Sequence, residues 1–289
     1  MTGPEPHEPD PEQLRADIRD RWERSADGWR ESSARFTAAA MDVSRWLVDA
    51  IEPQPGQRVL ELAAGIGETG FLAAELIEPG GTLISSDGAE AMLEHARARA
   101  AELGVRNVEF KPIDLEWIDM RTAEVDAVIC RWGLMFALDR DAALREMRRV
   151  LRPGGRVALA TWTVAERNPW SRLAREALYD AGLIDSLAMG TPDPFDISTP
   201  EIVTALLQEA GFTDVETEEM PIAFPYAGVV DLFSETKSLS RPFADLVAPL
   251  DARQLDDLRA RLIEKTAPYA ESDGSFRLPG VALVAAAAA

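Results

Sequence analysis

A short apolar segment that runs directly into a glycine-rich turn constrains the fold of this chain more than any other feature. Residues 58–62 read RVLEL, which is typical of a buried strand, and residues 63–67 read AAGIG. Residues 69–77 then have the pattern of a helix. A strand, a tight glycine turn and a helix in this order predict the first unit of an α/β fold.

The same alternation continues along the chain. Further strands are predicted at residues 82–86, 108–112, 125–130 and 156–161 and, after an interruption, near 215–224 and 281–285. A helix is predicted between the second and third strands, at residues 89–103. This alternation implies a doubly wound parallel sheet with helices on both faces, and such sheets bind ligands at the carboxyl ends of their strands.

The 289 residues are predicted to form five segments. Residues 1–12, rich in proline and acid, are predicted to be a disordered tail, and residues 13–52 an N-terminal lid of two helices. A Rossmann-like core follows at residues 53–163. Residues 164–200 interrupt the alternation and are predicted to be an insertion on the substrate side. Residues 201–289 complete the sheet and carry inserted helices.

Composition excludes several classes of partner. The chain has 30 basic and 50 acidic residues, a formal charge of −20, which repels nucleic-acid backbones and anionic membranes. No apolar run approaches the roughly 20 residues that span a bilayer, and the first residues lack a signal-peptide pattern. Cys130 is the only cysteine, and no Cys/His spacing suits a metal. We therefore expect a cytoplasmic protein without metal, nucleic-acid or membrane partners; its oligomeric state is not predicted.

Acidic residues distinguish this glycine turn from a generic one. Residues 65–70 match G-x-G-x-x-G, which nicotinamide- and flavin-binding domains share. Glu61, at the end of the preceding strand, would repel a diphosphate and attract an ammonium group. Asp87 and Asp114 end the next two strands, where they suit ribose hydroxyls and an adenine amine. An NAD(P)-dependent oxidoreductase stays open, because it would also use Asp87, and the acids could instead cap the following helices.

Four segments together resemble the motifs of class I S-adenosylmethionine-dependent methyltransferases. They are VLELAAGIGETG at residues 59–70, the strand end at Asp87, IDLE at residues 113–116 and RRVLRPGGRVALATW at residues 148–162. The resemblance extends over about residues 20 to 220, and it is to the small-molecule branch that includes ubiquinone and menaquinone C-methyltransferases.

The resemblance implies which residues bind S-adenosylmethionine. They are Glu61, Ala63, Gly65 and Gly67 beside the methionine moiety, Asp87 at the ribose, Asp114 and Leu115 at the adenine, and Gly88 and Arg131 in the same site. One position departs from the family pattern. Where the family has the first glycine of its loop, this chain has Ala63, which tightens the loop without blocking it.

Aromatic and methionine side chains are predicted to line an acceptor pocket. These residues are Trp22 and Trp29 in the N-terminal lid, Trp132, Met135 and Phe136 after the fourth strand, and Trp162 at the end of the fifth. Such a wall suits a planar or apolar acceptor, although the same side chains could simply belong to the core. No catalytic base is predicted, because His7 lies in the tail and His95 within a helix. Displacement at a sulfonium depends on alignment, so a dedicated base is not required.

The sequence thus predicts a seven-stranded class I methyltransferase fold. The expected reaction is transfer of a methyl group from S-adenosylmethionine to a carbon, oxygen or nitrogen of a small aromatic or apolar metabolite. One alternative is the NAD(P)-dependent oxidoreductase. The other is a methyltransferase-like binding protein without turnover, which the scarcity of bases and the Ala63 departure leave open.

Overall fold

A computed structural model describes residues 10–188 and 192–289 of the chain. Within them, seven strands form one sheet: β1 (Arg58–Leu62), β2 (Thr82–Asp87), β3 (Val108–Pro112), β4 (Val125–Arg131), β5 (Leu151–Trp162), β6 (Thr213–Tyr226) and β7 (Phe276–Ala288). Their order across the sheet is β3-β2-β1-β4-β5-β7-β6. The first five strands are parallel, whereas β7 runs antiparallel to both β5 and β6. The predicted seven strands are confirmed, but the sheet is mixed where a parallel sheet was predicted, because β7 is antiparallel to its neighbours.

Helices connect and cover the strands. They are α1 (Pro11–Ala50), α2 (Thr69–Leu76), α3 (Glu90–Leu103), α4 (Arg140–Val150), α5 (Pro169–Asp180), α6 (Pro200–Glu209), α7 (Val229–Leu239), α8 (Arg241–Val247) and α9 (Ala252–Thr266). The strand order reverses between β1 and β4. Because crossovers between parallel strands are right-handed, α2 and α3 lie on one face of the sheet and α4 on the other. The reversal also opens a crevice at the carboxyl ends of β1 and β4.

One continuous helix precedes the sheet, where the sequence analysis predicted two. Asp10 caps this helix, α1, and Pro11 occupies its first turn, where its fixed φ is favourable. The helix continues through Gly28, although glycine weakens a helix interior. A side chain at Gly28 would overlap the backbone of Ser238 in α7, so this glycine permits close packing of the two helices. Close packing against α7 therefore accounts for a glycine in the interior of α1.

The two halves of α1 pack against different parts of the molecule. Ala40, Val43 and Leu47 in its second half are fully buried in the main core. Ala26 in its first half is buried with Ile66, Met92 and their neighbours, next to the glycine-rich turn and the start of α3. The first half of α1 therefore extends beyond the sheet and lies over the carboxyl ends of β1 and β2.

Several predicted boundaries change. Asp10 and the first turn of α1 belong to ordered structure, so the predicted tail is shorter than residues 1–12; residues 1–9 lie outside the described residues. The helix α8 was not predicted, and β7 is longer than the predicted residues 281–285. Part of the predicted insertion, residues 189–191, lies outside the described residues. Across the described ranges, no helix has both the length and the apolarity that crossing a bilayer requires.

Candidate functional site

A cavity of about 450 Å³ opens at the carboxyl ends of the parallel strands. Its lining includes residues that follow or end each of β1 to β5. Of the fifteen residues predicted for cofactor and acceptor, thirteen line it: Ala63, Gly65, Asp87, Gly88, Asp114, Leu115, Arg131, Trp22, Trp29, Trp132, Met135, Phe136 and Trp162. The two that do not are Glu61 and Gly67. The strand order reverses at this edge, which is where open α/β sheets bind their ligands.

The structure corrects the expected role of Glu61. Its side chain is buried beneath the glycine-rich turn, where it accepts hydrogen bonds from the backbone N–H of Gly70 at 2.7 Å and from the hydroxyl of Ser85 at 3.4 Å. Burial raises the pKa of Glu61 to about 7. Glu61 therefore fixes the start of α2 from behind the turn and does not face the cavity.

Three residues of the turn have left-handed backbone angles, and each is accommodated differently. Ala63 has a φ of 49°, Gly65 of 57° and Gly67 of 74°. Nothing lies within 4 Å of the position that a Cβ on Gly65 would occupy, so the space above this residue is open. A Cβ on Gly67 would overlap the ring of Phe71, so Gly67 serves packing against α2. The methyl group of Ala63 fits because its neighbour, Gly133, has no side chain.

Asp87 is held at the cavity wall by two loops. Its Oδ2 atom accepts from the backbone N–H of Gly65 at 2.8 Å, and its Oδ1 atom accepts from the N–H of Ala89 at 2.9 Å. Burial raises the pKa of Asp87 to about 6. A carboxylate accepts about four hydrogen bonds, so both oxygens keep capacity for hydroxyl groups of a ligand. Gly88 beside it leaves open space.

The end of β3 is tied to the start of α1. Asp114 is exposed and accepts from the N–H of Glu116 at 2.8 Å, and Leu115 between them is half-buried. Arg15 of α1 forms an ion pair with Glu116 at 2.5 Å. This contact brings the first turns of α1 to the side of the cavity where Asp114 and Leu115 lie.

Arg131 joins α1 to the glycine-rich turn. Its guanidinium donates to Glu68 at 2.6 Å and to the hydroxyl of Ser44 at 3.0 Å. It also lies 5.1 Å from the ring centroid of Trp132 and 5.6 Å from that of Phe36. Arg131 therefore contributes to the cavity wall with its charge largely balanced by Glu68.

Five aromatic rings form a closed series around part of the cavity, which we call the aromatic cycle. The centroid distances are 5.3 Å for Phe36–Trp132, 4.3 Å for Trp132–Trp162, 4.8 Å for Trp162–Trp170, 5.2 Å for Trp170–Phe224 and 5.7 Å for Phe224–Phe36. The rings of Trp132 and Trp162 are nearly parallel, at 8°. All five residues line the cavity, so one wall of it is apolar and aromatic.

The lid residues extend this aromatic surface. Trp22 contacts Phe136 at 5.0 Å and Trp29 at 6.0 Å, and Trp29 contacts Phe36 at 4.9 Å. The indole N–H of Trp29 is buried without a hydrogen-bond partner among the described residues. Met135 is buried beside Phe136 in the same wall. The aromatic residues predicted from the sequence are thus brought together.

Sequence reasoning missed several cavity residues. Phe36 follows Trp29 by seven residues, and Trp29 follows Trp22 by the same interval, so helical spacing carried a signal for it. Phe224, Tyr226 and Glu235 also line the cavity, and their local sequence gives no comparable signal.

Cys130 and His95 do not offer a nucleophile or a base to the cavity, and His7 lies outside the described residues. Cys130 is fully buried in β4, and burial raises the pKa of its thiol to about 12. His95 on α3 contacts Asp27 of α1 at 3.0 Å and does not line the cavity.

Comparison with known proteins identifies the family. A family model described as a methyltransferase domain matches residues 53–211. The ubiquinone/menaquinone biosynthesis C-methyltransferase of Escherichia coli is 30% identical over 203 residues, covering 65% of this chain and 77% of that protein. An uncharacterized protein of Mycobacterium tuberculosis is 38% identical over 117 residues, 40% of this chain. The match spans only 41% of that mycobacterial relative.

A solved structure confirms the fold. Phosphoethanolamine N-methyltransferase 2 of Haemonchus contortus, in complex with phosphomonomethylethanolamine and S-adenosylhomocysteine, superposes with a TM-score of 0.59. The two sequences are 18% identical, and the superposition covers 94% of this chain and 60% of the Haemonchus protein. At this identity the likeness concerns the fold alone.

The cavity is chemically suited to the cofactor of this family. Open space above Gly65, acceptor oxygens on Asp87 and apolar surface at Leu115 match a ligand that combines an amino acid, a ribose and an adenine. The family match also favours a methyltransferase over the NAD(P)-dependent oxidoreductase that the glycine turn alone leaves open. With a family model covering more than half of its length, this chain belongs to the class I S-adenosylmethionine-dependent methyltransferases.

Proposed function

We propose that the protein transfers the methyl group of S-adenosylmethionine to a small, flat aromatic or apolar metabolite held against the aromatic cycle. One observation carries the proposal: a single cavity is lined both by the strand-end residues that suit the cofactor and by the aromatic cycle. When bound, S-adenosylmethionine supplies an electrophilic methyl group on a positively charged sulfur. The methylated atom is a carbon, oxygen or nitrogen of the acceptor.

The residues that line the cavity divide by chemistry. The proposed cofactor residues are Ala63 and Gly65 at the methionine moiety, Asp87 and Gly88 at the ribose, Asp114 and Leu115 at the adenine, and Arg131 in the same wall. Glu61 and Gly67 act from behind the turn, by holding α2 in place. No proton-transferring residue is needed for this part of the site, because its contribution is orientation.

The remaining wall favours a planar acceptor. Aromatic rings pack in offset-stacked or edge-to-face arrangements, and the parallel pair Trp132 and Trp162 presents a flat surface to a ring of similar size. The first half of α1 contributes Trp22 and Trp29 to the lining, where their rings would shield a bound ligand from water. We infer that residues 13–52 act as the lid and residues 164–200 as the substrate-side segment, to which Trp170 and Phe195 belong.

The relatives agree with a small acceptor. The Escherichia coli relative is named for C-methylation in ubiquinone and menaquinone biosynthesis, and this name supports a small molecule as the acceptor here. A formal charge of −20 argues against nucleic acid as the acceptor. Cytoplasmic location stays a prediction from the sequence.

Calorimetry with S-adenosylhomocysteine tests the cofactor assignment. We expect the wild-type protein to bind it and Asp87→Ala to bind it at least tenfold more weakly, because a charge-assisted hydrogen bond is lost. Asp42→Ala, at an exposed position of α1, is the matched control and should bind as the wild type does. Absence of binding to the wild type, or equal binding to Asp87→Ala, would overturn the assignment.

Two further measurements separate the alternatives. Quenching of tryptophan fluorescence by NADH, without an effect of S-adenosylhomocysteine, would favour the oxidoreductase. Release of S-adenosylhomocysteine from S-adenosylmethionine in the presence of a metabolite extract would show turnover and exclude the non-catalytic binding protein.

A further inference from the structure

A buried carboxylate lines the cavity beside its aromatic wall. Glu235 on α7 lines the cavity, and its side chain is only 12% exposed. The hydroxyl of Tyr226, at the end of β6, donates to its Oε1 atom at 2.9 Å. Arg35 of α1 donates to its Oε2 atom at 2.6 Å. Each carboxylate oxygen accepts about two hydrogen bonds, so each keeps one acceptor position beyond these contacts.

The contacts with Tyr226 and Arg35 stabilise the charged form of this carboxylate, against the effect of its burial. Arg35 also donates to both oxygens of Asp231, at 2.8 and 2.7 Å, so its charge is shared between two carboxylates. One cation therefore faces two anions, and the group as a whole is negative. Burial raises the pKa of Glu235, which makes its carboxylate a stronger hydrogen-bond acceptor.

Glu235 lies next to the aromatic cycle. Tyr226 follows Phe224 by two residues on β6, so the two side chains lie on the same face of the strand, and Phe224 belongs to the cycle. Arg35 directly precedes Phe36, which also belongs to the cycle. A flat molecule held by the cycle would thus have a buried carboxylate at its edge.

The aromatic faces near Glu235 favour a neutral donor over a cation. The guanidinium of Arg131 already lies over the rings of Phe36 and Trp132, and that of Arg35 lies 4.9 Å from the ring centroid of Tyr226. At these ring faces a cationic acceptor would compete with guanidinium groups that are already in place. A hydroxyl group would not, and it can donate to the carboxylate.

We propose that Glu235 accepts a hydrogen bond from a hydroxyl group of the methyl acceptor, which makes the substrate a hydroxylated aromatic compound. Glu235 is then a specificity-determining residue, and Tyr226 positions its carboxylate. The inference rests on the proposed function, because it concerns the acceptor half of the same cavity.

The test compares three flat probes of similar size in the presence of saturating S-adenosylhomocysteine. They are 2-naphthol, which has a hydroxyl donor, 2-methoxynaphthalene, which has none, and 2-naphthylmethylamine, which is a cation at pH 7. Binding is measured by calorimetry and by quenching of tryptophan fluorescence. We expect the wild type to bind 2-naphthol at least tenfold more tightly than either other probe, since the hydrogen bond is charge-assisted.

Variants assign the preference to Glu235. Glu235→Gln should reduce the preference for 2-naphthol over 2-methoxynaphthalene to less than threefold. Asp231→Asn is the matched control, because Asp231 contacts the same Arg35 but does not line the cavity, and it should keep the full preference. If Glu235→Gln does not fold, Glu235→Asp, which retracts the carboxylate by one methylene, should reduce the preference at least threefold.

The outcomes separate this inference from the proposed function. Failure to bind S-adenosylhomocysteine would overturn the proposed function itself. If S-adenosylhomocysteine binds normally, three results with the probes would overturn only the inference. The wild type would bind none of the probes, show no preference among them, or prefer the cation. An unchanged preference for 2-naphthol in Glu235→Gln or in Glu235→Asp would likewise overturn the inference.

Discussion

Glu61, at the end of β1, accepts a hydrogen bond from the backbone N–H of Gly70 across 2.7 Å, and both residues are buried. A side chain at residue 70 would overlap this carboxylate, so the glycine and the acid require one another. The carboxylate at the start of α2 is favourably placed relative to the helix dipole. Its location beneath the turn explains how an acid can shape a cofactor site without facing it.

The buried Glu61 makes stability depend on pH. Its pKa is raised to about 7 in the folded protein, so the folded protein keeps a proton that the unfolded chain releases near pH 4.5. We therefore expect the free energy of unfolding to fall as pH rises from about 4.5 to about 7. A shift of this size corresponds to ~3 kcal/mol. Asp87, whose pKa is raised to about 6, acts in the same direction.

Urea denaturation at pH 5 and pH 8 measures this loss. Glu61→Gln keeps an oxygen for Gly70 and gains a donor for Ser85, so it should lose markedly less stability between the two pH values. Glu75→Gln, at an exposed position of α2, is the control and should behave as the wild type does. Equal pH dependence of Glu61→Gln and the wild type would contradict the assignment.

The departure at Ala63 predicts a coupling with Gly133. Ala63 has a φ of 49°, which favours glycine, so Ala63→Gly should stabilise the protein by roughly 0.5–1 kcal/mol. A Cβ at Gly133 would overlap the methyl group of Ala63 and approach Cys130, so Gly133→Ala should destabilise it by about 1–3 kcal/mol. The double variant should recover part of that loss. Strictly additive unfolding energies in a double-mutant cycle would argue against the contact.

The meeting of the strand-end residues could be predicted from the sequence alone. Ala63, Asp87 and Asp114 each follow a strand of a parallel sheet, and the carboxyl ends of parallel strands lie at one edge. The direction of a side chain at such an end is a different matter. Glu61 faces α2 and not the cavity because Gly70 and Ser85 offer it hydrogen bonds, and these contacts exist only after folding.

Long-range packing accounts for the other differences. The close packing of α1 against α7 requires a glycine at residue 28, because a Cβ there would overlap the backbone of Ser238, which is 210 residues away in the sequence. Phe224 joins the aromatic cycle because β6 pairs antiparallel with β7, which in turn pairs with β5 beside the core. Local periodicity predicts that these strands exist but not which strands they pair with in the sheet, so only part of the aromatic cycle was predicted.

Glu23 is predicted to hold the lid closed. Its carboxylate accepts from the backbone N–H groups of Glu90 at 2.7 Å and Ala91 at 2.9 Å, at the start of α3. It thus caps that helix from α1, close to Asp87. Glu23→Ala removes this helix cap, which contributes about 1 kcal/mol of stabilisation, so the variant should release S-adenosylhomocysteine about fivefold faster than the wild type. Stopped-flow tryptophan fluorescence measures the rate of S-adenosylhomocysteine release. Glu31→Ala, at an exposed position of the same helix, is the control and should release the ligand at the wild-type rate. Equal rates for the wild type and both variants would show that Glu23 does not hold the lid closed.

Trp162 is predicted to act on the acceptor and not on the cofactor. Its ring stacks on Trp132 at 4.3 Å and 8°, and the side chain is 3% exposed. Trp162→Leu removes one ring of the stacked pair, so 2-naphthol should bind at least fivefold more weakly. The contacts of Asp87 stay unchanged, so the affinity for S-adenosylhomocysteine should stay within about threefold of the wild-type value. Trp46→Leu, outside the cavity, controls for general loss of an indole ring. An equal loss of affinity for 2-naphthol and S-adenosylhomocysteine in Trp162→Leu would contradict this prediction. If the stacked pair served only the packing of the protein, its loss would weaken the binding of both ligands to the same extent.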